Sequence, residues 1–103
     1  MAEAVRIEKA PLPAEGQVVR IVADGTPIAL FRRSGELYAV DARCTHVGGP
    51  LDQGAFHGTR VSCPWHGSVF DVRDGKVVRG PAVRNATSYR VHLEGETLIL
   101  ERS

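Results

Sequence analysis

Short apolar/polar alternations separated by turn residues run along most of this chain. Val5 to Leu12 contains one such alternation and ends at Pro11-Leu12-Pro13. Gln17 to Ala23 is rich in β-branched residues and runs into Asp24-Gly25. Ile28 to Arg33 and Glu36 to Asp41 flank Ser34-Gly35, a two-residue hairpin signal. Ser68 to Arg73 and Lys76 to Arg79 flank Asp74-Gly75, a stronger one, and Tyr89 to Leu93 and Thr97 to Glu101 flank Glu94-Gly95-Glu96. No segment holds a 3.6-residue apolar period over two turns. Eleven glycines and six prolines supply the many turns. The pattern predicts an all-β fold, an antiparallel sandwich or small barrel.

The stretch from Ala42 to Arg60 breaks this pattern. It contains Gly48-Gly49-Pro50, Gly54 and Gly58 and shows no strand alternation. A loop of that length in a compact domain is usually functional or disordered, and this one opens on metal-ligand residue types. We therefore expect a lobe of about 42–83 inserted into a base made of about 1–41 and 84–103, all within one domain, 1–103. No internal repeat and no linker is visible.

Composition narrows the function classes. Thirteen basic and twelve acidic side chains give a formal net charge of +1, with no basic run, so nucleic acid is not an expected partner. No apolar run approaches the ~20 residues of a membrane span. The first residues, Met1-Ala2-Glu3-Ala4-Val5-Arg6, lack a basic-then-apolar leader pattern. A soluble, cytoplasmic monomer is expected.

The candidate chemistry lies in two pairs. Cys44-Thr45-His46 and Cys63-Pro64-Trp65-His66 hold both cysteines and half of the four histidines. They read C-x-H, sixteen residues, then C-x-x-H. In a reducing cytosol, thiols with histidines at ligand spacing favour a metal over a disulfide. A structural zinc site is one reading, but its adjacent ligands are usually spaced C-x2-4-C or H-x3-5-H, so that both curl round one ion. Residues at i and i+2 more readily reach two ions a few ångströms apart. Two facing loops of this kind supply two thiolates to one iron and two imidazoles to its neighbour, the ligand set of a Rieske [2Fe–2S] centre.

With those residues in view, the chain resembles the Rieske ferredoxins, small soluble electron carriers of bacterial aromatic-ring-hydroxylating dioxygenase systems of the biphenyl, naphthalene and carbazole type. Cys44-Thr45-His46-Val47-Gly48-Gly49-Pro50-Leu51 is similar to the family's first ligand loop. Cys63-Pro64-Trp65-His66-Gly67-Ser68-Val69-Phe70-Asp71 is similar to the second, and Gly80-Pro81-Ala82 to the proline-bearing third loop. The resemblance spans essentially the whole chain and implies the Rieske iron–sulfur fold and one [2Fe–2S] cluster per chain. It places Cys44 and Cys63 on an inner iron and His46 and His66 on an outer, surface iron. Neutral imidazoles leave the oxidised cluster formally neutral where four thiolates would make it a dianion, which explains potentials of about −150 to +300 mV. Exposed histidines give electrons a short exit and can couple their uptake to a proton.

Neighbouring residues refine that expectation. High-potential members of the family carry a disulfide at the positions of Gly49 and Trp65, so this chain lacks it. They also donate hydroxyl hydrogen bonds to cluster sulfur from a serine and a tyrosine; this chain keeps Ser68 and has Phe70 in place of the tyrosine. The resemblance thus implies a potential in the lower part of the range. It also makes Pro81 a cover over the cluster. Gly48, Gly49 and Gly67 serve turn geometry or close approach of backbone N–H groups to sulfide. Trp65 either packs the loop or presents an apolar docking face. His92 sits on the polar side of a terminal strand, and His57 is expected at the surface. Arg43, Arg60, Arg73 and Arg79 flank the loops, as ordinary surface charge or as steering groups for an acidic partner.

The resulting function is one-electron transfer from a flavin-containing reductase to a terminal oxygenase, by docking near His46 and His66, with no catalytic residue in this chain. Two alternatives remain at this point. One is a small Rieske subunit of a larger oxidoreductase, such as an NAD(P)H nitrite reductase; the other is a structural zinc-binding interaction module.

Overall fold

The computed structural model describes residues 4–45 and 48–102. Among the described residues, ten strands form two antiparallel sheets, with one turn of 3-10 helix, Leu51–Gln53, between the fourth and fifth strands in chain order. The first sheet contains β1 (Val5–Glu8), β2 (Val18–Ala23), β3 (Thr26–Arg33), β4 (Glu36–Asp41), β9 (Ser88–Glu94) and β10 (Thr97–Arg102). Its order is β1-β10-β9-β4-β3-β2. The second contains β5 (Ala55–His57), β6 (Arg60–Ser62), β7 (Val69–Asp71) and β8 (Val77–Arg79), in chain order.

The hairpin signals at Asp24-Gly25 and Ser34-Gly35 produce tight two-residue turns. Ala23 pairs with Thr26 and Arg33 with Glu36, and both central residues take positive φ, 51° and 77° in the first turn and 55° and 79° in the second. That is the type I′ geometry whose twist matches flanking strands. The alternation over Val5 to Leu12 yields a shorter strand than expected: β1 ends at Glu8, and Lys9 turns the chain at φ 53°.

Asp74-Gly75 does not make the expected two-residue turn. The Asp71 N–H donates to the Lys76 carbonyl at 2.9 Å and the Gly75 N–H to the Asp71 carbonyl at 2.7 Å, so residues 72–75 form the loop. Two local forces explain the longer turn. The Asp71 carboxylate accepts from the Arg73 backbone N–H (3.0 Å) and from its guanidinium (3.1 and 2.8 Å), curling the chain at residue 73. Gly75 lies against Ala86, where a Cβ would meet the carbonyl oxygen at 2.1 Å. The stretch expected to lack strands, Ala42 to Arg60, also contains β5 and runs into the first residue of β6; at three residues each, these strands are too short to show a period in sequence.

The apolar run of β3 is buried on both faces. Ile28 and Leu30 enter one core with Ile21, Ala39, Tyr89, Leu98 and Leu100. Ala29 and Phe31 enter a second core with Val40, Leu51, Val61, Phe70 and Val72. Successive side chains of a strand point to opposite faces, so β3 and β4 form a wall shared by the two cores. Tyr89 closes the seam between β9 and β4 by donating its hydroxyl to Asp41 Oδ1, and burial and that carboxylate hold its pKa well above the ordinary phenol value. Cys44 and Cys63 belong to the second core, which fixes where the ligand loops sit.

Candidate metal centre

Each cysteine opens a six-residue loop closed by an antiparallel pair. Arg43 bridges Pro50 around residues 44–49, and Ser62 pairs with Val69 around residues 63–68. The backbone bonds repeat position for position. Cys44 N–H donates to the Gly49 carbonyl at 2.8 Å and Gly48 N–H to the Cys44 carbonyl at 2.8 Å. Cys63 N–H donates to the Ser68 carbonyl at 2.7 Å and Gly67 N–H to the Cys63 carbonyl at 3.0 Å. The fifth residue of each loop is a glycine with positive φ, 74° at Gly48 and 77° at Gly67. The sequence signal is C-x-x-x-G, present twice but too short to register as a repeat.

Both thiols are free and buried. Their side chains touch, and the backbone N–H groups of Trp65 and His66 point at the Cys63 sulfur. Burial pushes the Cys63 thiol up, against the pull of those two amides, and the neighbouring Cys44 thiol adds to the rise. His66 is exposed. His46, expected as the partner imidazole, lies outside the described residues together with Val47.

Gly49 makes the close approach between loops possible. A Cβ there would stand 2.7 Å from Cys63 Sγ and 3.2 Å from Cγ and Cδ2 of Trp65. The indole therefore rests on Gly49 on one side while remaining 58% exposed overall. Trp65 both packs the loop and presents apolar surface. The two positions at which the family resemblance puts a disulfide in high-potential members are thus in contact here, glycine against tryptophan.

A third loop, from Gly80 to Ala86, is tied to both ligand loops. Thr45 Oγ1 donates to the Arg84 carbonyl at 2.6 Å, and the Ala82 N–H donates to Ser68 Oγ at 2.9 Å. Ser68, Phe70 and Ala82 are buried; Pro81, after a cis bond, is exposed. No local sequence pattern marks the bond from Thr45 to Arg84, since it joins a side chain to a carbonyl 39 residues away. His57 and His92 are exposed on β5 and β9, away from these bonds.

Among the described residues, no three His, Cys, Asp or Glu side chains converge on one point. A bridged two-iron cluster does not need such convergence, because it divides thiolates and imidazoles between two ions. Two touching thiols, amides aimed at sulfur, and a glycine where a Cβ would fill the gap are the donor set and clearance that such a cluster takes.

Comparison with known proteins agrees. The family model for the Rieske [2Fe-2S] domain matches residues 4–90. The ferredoxin component of the naphthalene 1,2-dioxygenase system of Pseudomonas aeruginosa is 34% identical over 89 residues, covering 86% of each chain. The 3-phenylpropionate/cinnamic acid dioxygenase ferredoxin subunit of Escherichia coli (strain K12) is 37% identical over 89 residues, covering 84% of this chain and 82% of the relative. Among solved structures, the ferredoxin of carbazole 1,9a-dioxygenase from Nocardioides aromaticivorans IC177 superposes with a TM-score of 0.86 at 27% identity, covering 96% of this chain and 99% of that one. With the duplicated loops and buried thiol pair, these matches show that the chain belongs to the Rieske [2Fe–2S] family and takes that family's cluster.

Proposed function

We propose that this protein is a one-electron carrier between a flavin-containing reductase and a terminal oxygenase of an aromatic-ring-hydroxylating system, and that it works as a freely diffusing cytoplasmic monomer. In this reading Cys44 and Cys63 hold one iron and His46 and His66 the other. The single domain divides into a base of about 1–41 and 84–103 and a cluster lobe of about 42–83; the two-sheet division of the strands supports this. The observation that carries the proposal is the paired loop geometry, with two buried, interacting thiols and an exposed histidine in the second of the loops. Relatives of similar length that are named ferredoxin components of dioxygenase systems support the carrier role. No helix among the described residues is long and apolar enough to cross a membrane.

When bound, the cluster takes up and releases one electron. The protein's own groups set the conditions. The second core keeps water from the cysteines. The amides of Trp65 and His66 offset negative charge on the Cys63 sulfur. Thr45 and Ser68 hold the third loop against both ligand loops. His66 leaves an imidazole at the surface, where a docked partner comes within short range.

Iron and acid-labile sulfide analysis with UV-visible and EPR spectroscopy tests the assignment. Equal iron and sulfide and an EPR signal on dithionite reduction are expected. A colourless, zinc-containing, EPR-silent protein would sink it. Co-purification as a tight subunit of a larger oxidoreductase would replace the free carrier with a bound one.

A further inference from the structure

The charge of this chain is unevenly distributed. Residues 42–86 carry six basic and three acidic side chains, whereas the remaining residues carry seven basic and nine acidic. A near-neutral total of +1 therefore conceals net +3 on the lobe taken together with the rest of its third loop, and net −2 on the remainder.

Ion pairing sharpens the contrast. All three acidic side chains of the lobe are engaged: Asp52 with Arg20 of β2, Asp71 with Arg73, and Asp74 with Lys76. Arg73, one of the four arginines that flank the ligand loops, is thereby taken up by Asp71. Arg43, Arg60, Arg79 and Arg84 are exposed and form no ion pair among the described residues. Two of them border the metal centre directly. Arg43 precedes Cys44 and bridges Pro50 at the neck of the first ligand loop. Arg84 supplies the carbonyl that holds Thr45 of that loop. Exposed apolar side chains lie on the same three loops: Trp65, on the second ligand loop and against Gly49 of the first, is 58% exposed, and Val83, next to Arg84 on the third, is 92% exposed. An apolar centre with a charged rim is the anatomy of a transient protein interface. Rim charge of one sign governs how fast a partner arrives and which partner is accepted.

We propose that the electron exit of this protein docks on an acidic protein surface: a carboxylate-rich face of its redox partner, meeting Arg43 and Arg84 around Trp65 and Val83. The proposal rests on the carrier reading above and adds the chemistry of the surface that receives the electron. The lobe's field, rather than the near-neutral whole, sets the rate of encounter.

Small redox ions test the sign of that field without a known partner. Dithionite-reduced holoprotein is mixed with ferricyanide, a trianion, or with hexaammineruthenium(III), a trication. Each oxidant gains the one electron that the cluster loses. The ferricyanide rate is expected to fall roughly tenfold as salt rises from about 10 to about 100 mM, and the ruthenium rate to rise. The Arg43→Glu/Arg84→Glu double variant, which turns the side-chain charge of residues 42–86 from +3 to −1 (from +2 to −2 once the extra electron of the reduced cluster is counted), should reverse the preference. Lys9→Glu, an exposed change on the base, should leave the contrast in place although it also alters net charge. Equal salt dependence for both oxidants, or a loss in Lys9→Glu equal to that of an Arg43→Glu single variant, overturns the acidic partner while leaving the carrier intact. A protein that assembles no cluster defeats the carrier reading, and this inference with it.

Discussion

Ser68 holds two structures together with one hydroxyl. Its oxygen accepts the Ala82 N–H deep in the second core, which leaves its proton to donate elsewhere. In the proposed site that proton would be free to donate to a cluster sulfur. A donor stabilises the more negative, reduced cluster, so Ser68→Ala is expected to lower the potential by tens of millivolts, about half of the 59 mV that changes a one-electron equilibrium tenfold. The same change orphans a buried N–H and should cost about 1–3 kcal/mol of stability. Phe70→Tyr separates the two effects. Phe70 is fully buried in the core that holds both cysteines, and a hydroxyl there should raise the potential without loosening the third loop. Voltammetry and thermal melts of both variants check this. Lost stability at unchanged potential in Ser68→Ala, with no shift in Phe70→Tyr, would leave Ser68 as a loop anchor only.

At the scale of elements, the turn between β7 and β8 carries a measurable pH signature. The Arg73 guanidinium beside Asp71 holds its carboxyl below the usual carboxylate range, with the Arg73 backbone N–H adding to it. A depressed carboxylate pKa contributes stability above the unfolded value of about 4, and that contribution is lost as pH falls through the lowered folded value. Arg73→Ala should therefore destabilise at pH 7 and flatten the loss of stability between about pH 4 and pH 2. Arg73 is 60% exposed, so the effect is limited to about 0.2–1 kcal/mol. Urea unfolding at pH 7 and pH 3 reads it out; an equal destabilisation at both would show that Asp71 does not depend on Arg73. This turn also marks how far the elements were legible in sequence. Asp24-Gly25 and Ser34-Gly35 act through their own φ angles, and the hairpins appeared where the pairs predicted them. Asp74-Gly75 is overridden by a carboxylate two residues before Arg73 and by the packing of Gly75 on Ala86. Likewise, the two cysteine loops were legible because each places a ligand-type residue ahead of a glycine at fixed spacing, and the structure brings Cys44 and Cys63 together. The clamp from Thr45 to Arg84 was not, because it joins segments that only folding brings together.

The whole molecule has two cores that share one wall, and they should respond differently to loss of the metal. The core of Ile21, Ile28, Leu30, Leu98 and Leu100 contains no ligand, and its strands are continuously paired from β1 through β10 to β9 and from β2 through β3 to β4. The second core ends at Cys44 and Cys63. Its outer layer is built from three-residue strands and six-residue loops, held by few long-range bonds. In the proposed site, Cys44 and Cys63 would exchange the weak contact of two thiols for bonds to a shared cluster, so metal binding there would also be folding free energy for the loops. Local opening follows where buried apolar contacts and paired backbone are fewest. Chelation of iron under reducing conditions should accordingly strip hydrogen-exchange protection from Cys44, Gly48, Cys63, Gly67 and Ala82. Each of these donates one of the loop bonds described above or lies beside it. Ile28 to Phe31 and Leu98 to Leu100 should keep their protection, since their partners do not change. Uniform protection with and without iron would mean that the second core holds the loops unaided. Uniform loss would mean that β3 and β4 transmit the opening to the first core, and that the shared wall couples the two halves into one cooperative unit.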